Sequence, residues 1–145
     1  KLVQHSKFYY MDAGVFQSLR PKGPLDSPEE VGGACMEGLV AQHLRTWIAY
    51  SKVERTLHFW RTRAGLEVAF VVYGEDSFLG IEVKRSKTVF TKDVRPLLAF
   101  REDYPQAKVC LLYGGKERLK INNVPCLPCD DFLRNLLPNA PAPMD

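Results

Sequence analysis

Apolar and polar positions along this chain change their period several times, and each change marks an element. From Ser27 to Tyr50, Met36, Val40, Leu44, Trp47 and Ile48 recur at the spacing of one helix face. Ser27-Pro28-Glu29-Glu30 in front of them has the order of a capping box: Ser as N-cap, Pro in the first turn, Glu at the third helical position. Gly32, Gly33 and Gly38 each cost such a helix roughly 1 kcal/mol relative to Ala, so they point to close packing or to a broken first half. Short extended segments then follow, Leu57–Thr62, Leu66–Tyr73 and Phe78–Lys84. Their hairpin-length links, Ala64-Gly65 and Gly74-Glu75-Asp76, predict a three-stranded antiparallel meander.

Helical spacing returns from Lys92 to about Asp103, with Thr91 placed to cap it and Pro105 to end it. Val109–Tyr113 is a continuous apolar run of buried-strand length, and a strand reached through a crossover helix lies parallel to a central one. Leu119–Ile121 and Val124–Leu127 read as weaker extended pieces, and Asp131–Leu137 as a short amphipathic helix. Upstream, Lys7–Tyr10 reads as extended, Met11–Leu19 as a short helix capped by Asp12, and Arg20–Asp26 as a loop. The fold class is therefore α/β: helix, three-stranded antiparallel meander, helix, parallel strand.

With 145 residues, 46% of them hydrophobic, the chain has material for one sizeable core. The expected organisation is an N-terminal extension over residues 1–26 packing on the core, a domain over 27–137, and a flexible tail over 138–145 that holds three prolines. The first residue is Lys1, inside a strand-like segment, as expected of a piece cut from a longer protein. No apolar run approaches the roughly 20 residues of a membrane span, and the N-terminal segment lacks the apolar stretch of a signal peptide. The four cysteines fit a reduced, cytoplasmic chain. Cys126 and Cys129 form a lone C-x-x-C with neither a second pair nor a nearby His; they read as structural before metal or redox. His5, His43 and His58 are scattered, and Gly114-Gly115-Lys116 lacks the rest of a Walker A loop.

The candidate chemistry lies in EVAFVVYGEDSFLGIEVKRS, residues 67–86. Strand alternation puts Glu67, Ala69 and Val71 on one face of the second meander strand, and Glu82 with Lys84 on one face of the third. If the hairpin joins those faces, Glu67, position 69, Glu82 and Lys84 form one patch. Carboxylates there would hold a hard divalent ion, with the lysine orienting water or balancing phosphate charge. Glu37 lies within about 60° of Val40 and about 20° of Leu44 and Ile48 around the helix, along the apolar stripe, so it is paired, hydrogen-bonded or at a rim that reaches water. An isolated Glu-x-Lys is equally well a solvated strand face. Lys84, Arg85, Lys87, Lys92 and Arg95, with Arg61 and Arg63, would neutralise phosphates along one edge or simply form a charged surface. The net charge of +3 permits a nucleic-acid partner without demanding one. Phe59, Trp60, Tyr9 and Tyr10 read as core before base-stacking platforms.

A helix Glu followed by a strand Glu-x-Lys in this element order resembles the restriction-endonuclease-like PD-(D/E)xK core. Nearly the whole chain resembles the C-terminal domain of unknown function that follows an AAA-type ATPase and a winged helix in many bacterial and archaeal proteins. The matching pieces are KFYYMDAGV, MEGLVAQHL, FWRTRAGLEVAFVV, IEVKRS, LLAFREDYPQAKVCLLYG and LPCDDFL, spread over about nine tenths of the chain. The resemblance implies that Glu37, position 69 and Glu82 are metal positions for magnesium or manganese, and that Glu82 and Lys84 are catalytic. It also implies a partner in the chain's own N-terminal ATPase region and in nucleic acid, DNA before RNA. Where the family usually has Asp, this chain has Ala69, whose methyl group coordinates nothing. Glu67 stands about 7 Å along the strand and could substitute only through a shifted site or a bridging water. The expectation is a degenerate or disabled metal-dependent nuclease. The alternatives are a non-catalytic module that binds nucleic acid or docks on the ATPase, or a protein-interaction domain without nucleic-acid contact.

Overall fold

A computed structural model describes the backbone of residues 2–4 and 28–145 and the side chains from Cys35 onward. The helix expected over 11–19, the loop over 20–26, the Ser27 cap and the packing of the 1–26 extension lie outside the described residues.

Helix α1 spans Pro28–Tyr50 and continues through all three glycines. Val40, Ala41, Leu44 and Trp47 are buried along it, with Met36 and Ile48 packed beside them, so the periodic stripe is the face that meets the sheet. Six strands lie between residues 55 and 128: β2 (Arg55–Arg61), β3 (Glu67–Gly74), β4 (Ser77–Lys84), β5 (Lys108–Tyr113), β6 (Leu119–Ile121) and β7 (Val124–Pro128). A short β1 (Leu2–Gln4) pairs antiparallel with β2, giving the order β1-β2-β3-β4-β5-β7-β6. The expected meander is the β2-β3-β4 part of this larger sheet, and β5 lies parallel to β4.

Helix α2 (Arg95–Asp103) forms the β4-to-β5 crossover. It does not begin at Lys92 under a Thr91 cap. Residues Thr91–Val94 form a separate 3₁₀ turn, because Pro96 has no N–H to return to the Lys92 carbonyl. The cap comes from Asp93, whose Oδ2 accepts the Phe90 N–H at 2.7 Å. The last helix, α3, is Cys129–Arg134, starting directly from β7 and ending earlier than the 131–137 expected from the sequence.

Two apolar layers sandwich the sheet. On one face α1 and α3 pack over Phe70, Val72, Leu79, Ile81, Cys110 and Leu112. On the other, Leu97 and Phe100 of α2 pack over Val71, Val109, Leu111 and Tyr113. Gly80 makes the second contact possible, since a Cβ there would stand 2.9 Å from the Phe100 ring. The 138–145 tail, expected as a flexible extension, lies back on the α1 face. Trp47 Nε1 donates to the carbonyls of Leu137 at 3.0 Å and Ala140 at 3.2 Å, and Met144 is buried. None of the described helices is long and apolar enough to cross a membrane.

Candidate functional site

The β3–β4 ladder runs from Gly74↔Ser77 to Phe70↔Ile81 and stops there. Beyond it β3 stays with β2 as far as Arg61↔Glu67, while β4 stays with β5 as far as Lys84↔Tyr113. The two central strands therefore fork. Residues 67–69 form one prong and residues 82–84 the other. Position 69 and Glu82 would be the next pair of the ladder, so they flank the opening.

A bulge reshapes the first prong. His58 pairs with Val71 and Trp60 with Val68, so Ala69 and Phe70 together oppose Phe59. This breaks the strict alternation expected over 67–71. Ala69 and Phe70 both pack in the α1-side layer, whereas Val68 and Val71 pack in the α2-side layer. Ala69 is 7% exposed, so its methyl lies in the core and not on the surface of the fork. Glu67 is engaged by Arg61, whose Nε donates to its Oε1 at 2.7 Å.

On the second prong, Ile81 is in the α1-side layer and Val83 packs against it, so alternation assigns Glu82 and Lys84 to the α2 side. Glu82 is half-buried and accepts the N–H of Val83 at 3.1 Å. Lys84 donates to Asp93 Oδ1 at 2.6 Å. Burial pushes the Asp93 carboxyl up, but hydrogen bonds from Lys84 and from the Phe90 amide outweigh it and hold the group below its ordinary value. Glu37 is half-buried on α1, the helix that covers the opposite face from α2. Among the described residues, no three His, Cys, Asp or Glu side chains come together as a metal-binding group. The donor set at the fork does not fit a divalent ion clamped between two strand carboxylates, because position 69 supplies no oxygen.

Arg85, Lys87, Lys92 and Arg95 are exposed between β4 and α2. Arg63 is exposed in the β2–β3 turn, and Arg61 is exposed while paired to Glu67. Sequence reasoning missed two residues here. Asp93 had one available signal, its position three residues after Phe90 at a helix start, which is where a side chain caps backward. Phe90 is 55% exposed, with the Lys84 and Lys92 ammonium groups 5.8 Å and 6.0 Å from its ring centroid. Its neighbour Val89 is buried.

The C-x-x-C is a pair only in sequence. Cys126 belongs to the α2-side layer and Cys129 to the α1-side layer. Burial pushes the Cys129 thiol up to about 12 and raises Cys126 as well, the reverse of what a thiolate ligand or redox nucleophile needs.

The architecture is that of a mixed α/β domain with helices on both faces of a forked sheet. Residues 32–132, more than two-thirds of the chain, match the family described as "Domain of unknown function (DUF4143)", and the chain belongs to that family. A comparison with curated proteins gives no match.

Proposed function

We propose that the domain is a restriction-endonuclease-like module of an ATPase-associated protein, with a disabled cleavage site, that binds nucleic acid without cutting it. The observation that carries this reading is the fork between β3 and β4. In favour of the reading, position 69 and Glu82 flank the fork from neighbouring strands and Lys84 follows two residues further along β4, as a two-carboxylate and lysine site would need. Ala69 and Glu37 belong to the α1 side and Glu82 and Lys84 to the α2 side, so an acid at 69 would meet Glu82 only through the open gap beyond Phe70↔Ile81. There the two carboxylates, with Glu37, would hold magnesium or manganese, and Lys84 would assist the attacking water. With Ala69 buried there, the first metal bond has no donor. What remains is a basic edge between β4 and α2, suited to phosphates of DNA before RNA.

The test compares this chain with Ala69→Asp in calorimetric manganese titration and in cleavage of mixed DNA and RNA substrates. The expected result is manganese binding and cleavage by the Asp version alone, with both versions binding nucleic acid in a salt-dependent way. If neither binds metal or cuts, the descent from a nuclease falls. If neither binds nucleic acid at low salt, the domain is a docking module for its ATPase or another protein.

A further inference from the structure

We infer that Phe90 is a stacking platform for one unpaired base of a single-stranded nucleic acid, with the exposed Lys92, whose ammonium group lies 6.0 Å from the ring centroid, to hold a flanking phosphate. The inference rests on the nucleic-acid reading above and specifies the strand it takes. An exposed phenylalanine by itself is ordinary, so the weight lies on how this one is held. Phe90 has extended backbone angles, φ −114° and ψ 164°, so neighbouring side chains point in opposite directions. Val89 points in and is buried in the α2-side layer, which turns Phe90 outward. Its N–H is fixed by Asp93 Oδ2 at 2.7 Å, and Asp93 also holds Lys84 at 2.6 Å. One carboxylate thus ties the Phe90 backbone to the Lys84 ammonium group.

The segment leading to the ring is anchored too. Gly114 N–H donates to the Ser86 carbonyl at 2.9 Å, and the Thr88 N–H is bound by Ser86 Oγ at 3.1 Å. With the backbone fixed in advance, only the side-chain torsions of Phe90 need ordering when a base lies on the ring. Every base has a π face, so such a site tolerates sequence and takes its remaining affinity from phosphate contacts. Arg85, Lys87 and Arg95 extend the positive surface around it. A duplex keeps its bases stacked inside and cannot use the ring, so the site selects single strands, frayed ends or flaps at the mouth of the fork.

The experiment measures binding of the 145-residue protein to a fluorescent thymidine oligonucleotide and to an abasic strand of equal length and charge, by anisotropy at low salt. The expected result is tighter binding of the base-bearing strand, and a loss of roughly five- to hundredfold in Phe90→Ala on that strand only. Phe90→Trp should restore binding, and its indole fluorescence should be quenched by the bound base. If the wild type binds both strands equally and Phe90→Ala changes nothing, the platform is overturned while phosphate binding stands. If the wild type binds neither strand, the nucleic-acid reading falls and the platform with it. Thermal unfolding of each variant checks that the fold is kept.

Discussion

Lys84 and Asp93 form a hydrogen-bonded ion pair at 2.6 Å, with side chains only 28% and 12% exposed. It joins the end of β4 to the turn before α2, and the same carboxylate caps Phe90. The lysine of the Glu-x-Lys is therefore held in a structural contact beside the fork, whose other prong carries Ala69.

Replacing Asp93 separates the two roles. Asp93→Asn keeps an acceptor for the Phe90 amide but loses the charge, and should cost about 1 kcal/mol. Asp93→Ala loses both and should cost about 2 kcal/mol or more in urea unfolding at pH 7. The carboxyl is held below its ordinary value of 3.8 when folded, so its contribution is present above that value. It is lost as pH falls through the folded value. The stability gap between wild type and Asp93→Asn should shrink as pH drops below 3.8; a gap that persists in acid would contradict the assignment.

A second pair governs the far end of the fork strands. Arg55 is buried, its guanidinium lies 4.2 Å from the Trp47 ring centroid, and Asp76 accepts from its Nη2 at 2.8 Å and from its Nε at 3.1 Å. The contact ties β2 and α1 to the β3–β4 turn. Stranding a buried charge costs roughly 3–5 kcal/mol, and because Asp76 is half exposed a figure of about 2 kcal/mol is expected for Asp76→Ala. Hydrogen bonds from Arg55 and Ser77 lower the Asp76 carboxyl, so this stability is also present above its ordinary value and lost as pH falls through the folded one. Urea unfolding across pH 2–7 would show the variant lacking that part of the acid transition.

How much of this was legible in the sequence differs by element. The α1 stripe and the β2-β3-β4 meander follow from periodicity, since apolar burial enforces period 3.6 on Val40, Leu44 and Trp47 and hairpin links enforce pairing. The widening of the sheet by β6 and β7 was only hinted, because LKI and VPCLP are too short, and the latter too rich in proline, to show alternation. The bulge at Ala69 and Phe70 leaves no compositional mark: both residues suit an unbroken strand, and only pairing with β2 exposes the extra residue. Asp93 and Phe90 were missed because their roles depend on Lys84, nine residues before Asp93 in sequence and met through the loop over 85–90 that precedes α2.

The cysteines yield a chemical test. Cys110, Cys126 and Cys129 are buried, while Cys35 is half-buried. With Cys129 pushed up to about 12 by burial, native thiolate is scarce at pH 8, so a thiol reagent should modify Cys35 first. The other three should react only on unfolding, at a rate that follows denaturant. A zinc chelator should leave the melting temperature unchanged. Fast native labelling of Cys126 and Cys129 together would revive the metal or redox reading of the C-x-x-C.

Gly114 tests whether the segment before Phe90 is held as rigidly as the platform requires. A Cβ there would stand 2.1 Å from the Arg85 carbonyl oxygen, and that oxygen belongs to backbone, which cannot swing aside as a side chain can. Gly80→Ala makes a milder clash elsewhere, 2.9 Å from the Phe100 ring, a side chain. Overpacking of this kind costs typically 1–3 kcal/mol, so both variants should melt earlier. They should differ in binding. Gly114→Ala displaces residues 85–86 and with them the approach to Phe90, so it should weaken single-strand binding at a temperature where it remains folded. Gly80→Ala strains the α2 contact without touching that segment, so it should bind as the wild type does. Equal binding by both variants would mean that the ring does not depend on the Gly114 anchor, and that Asp93 alone suffices to position it.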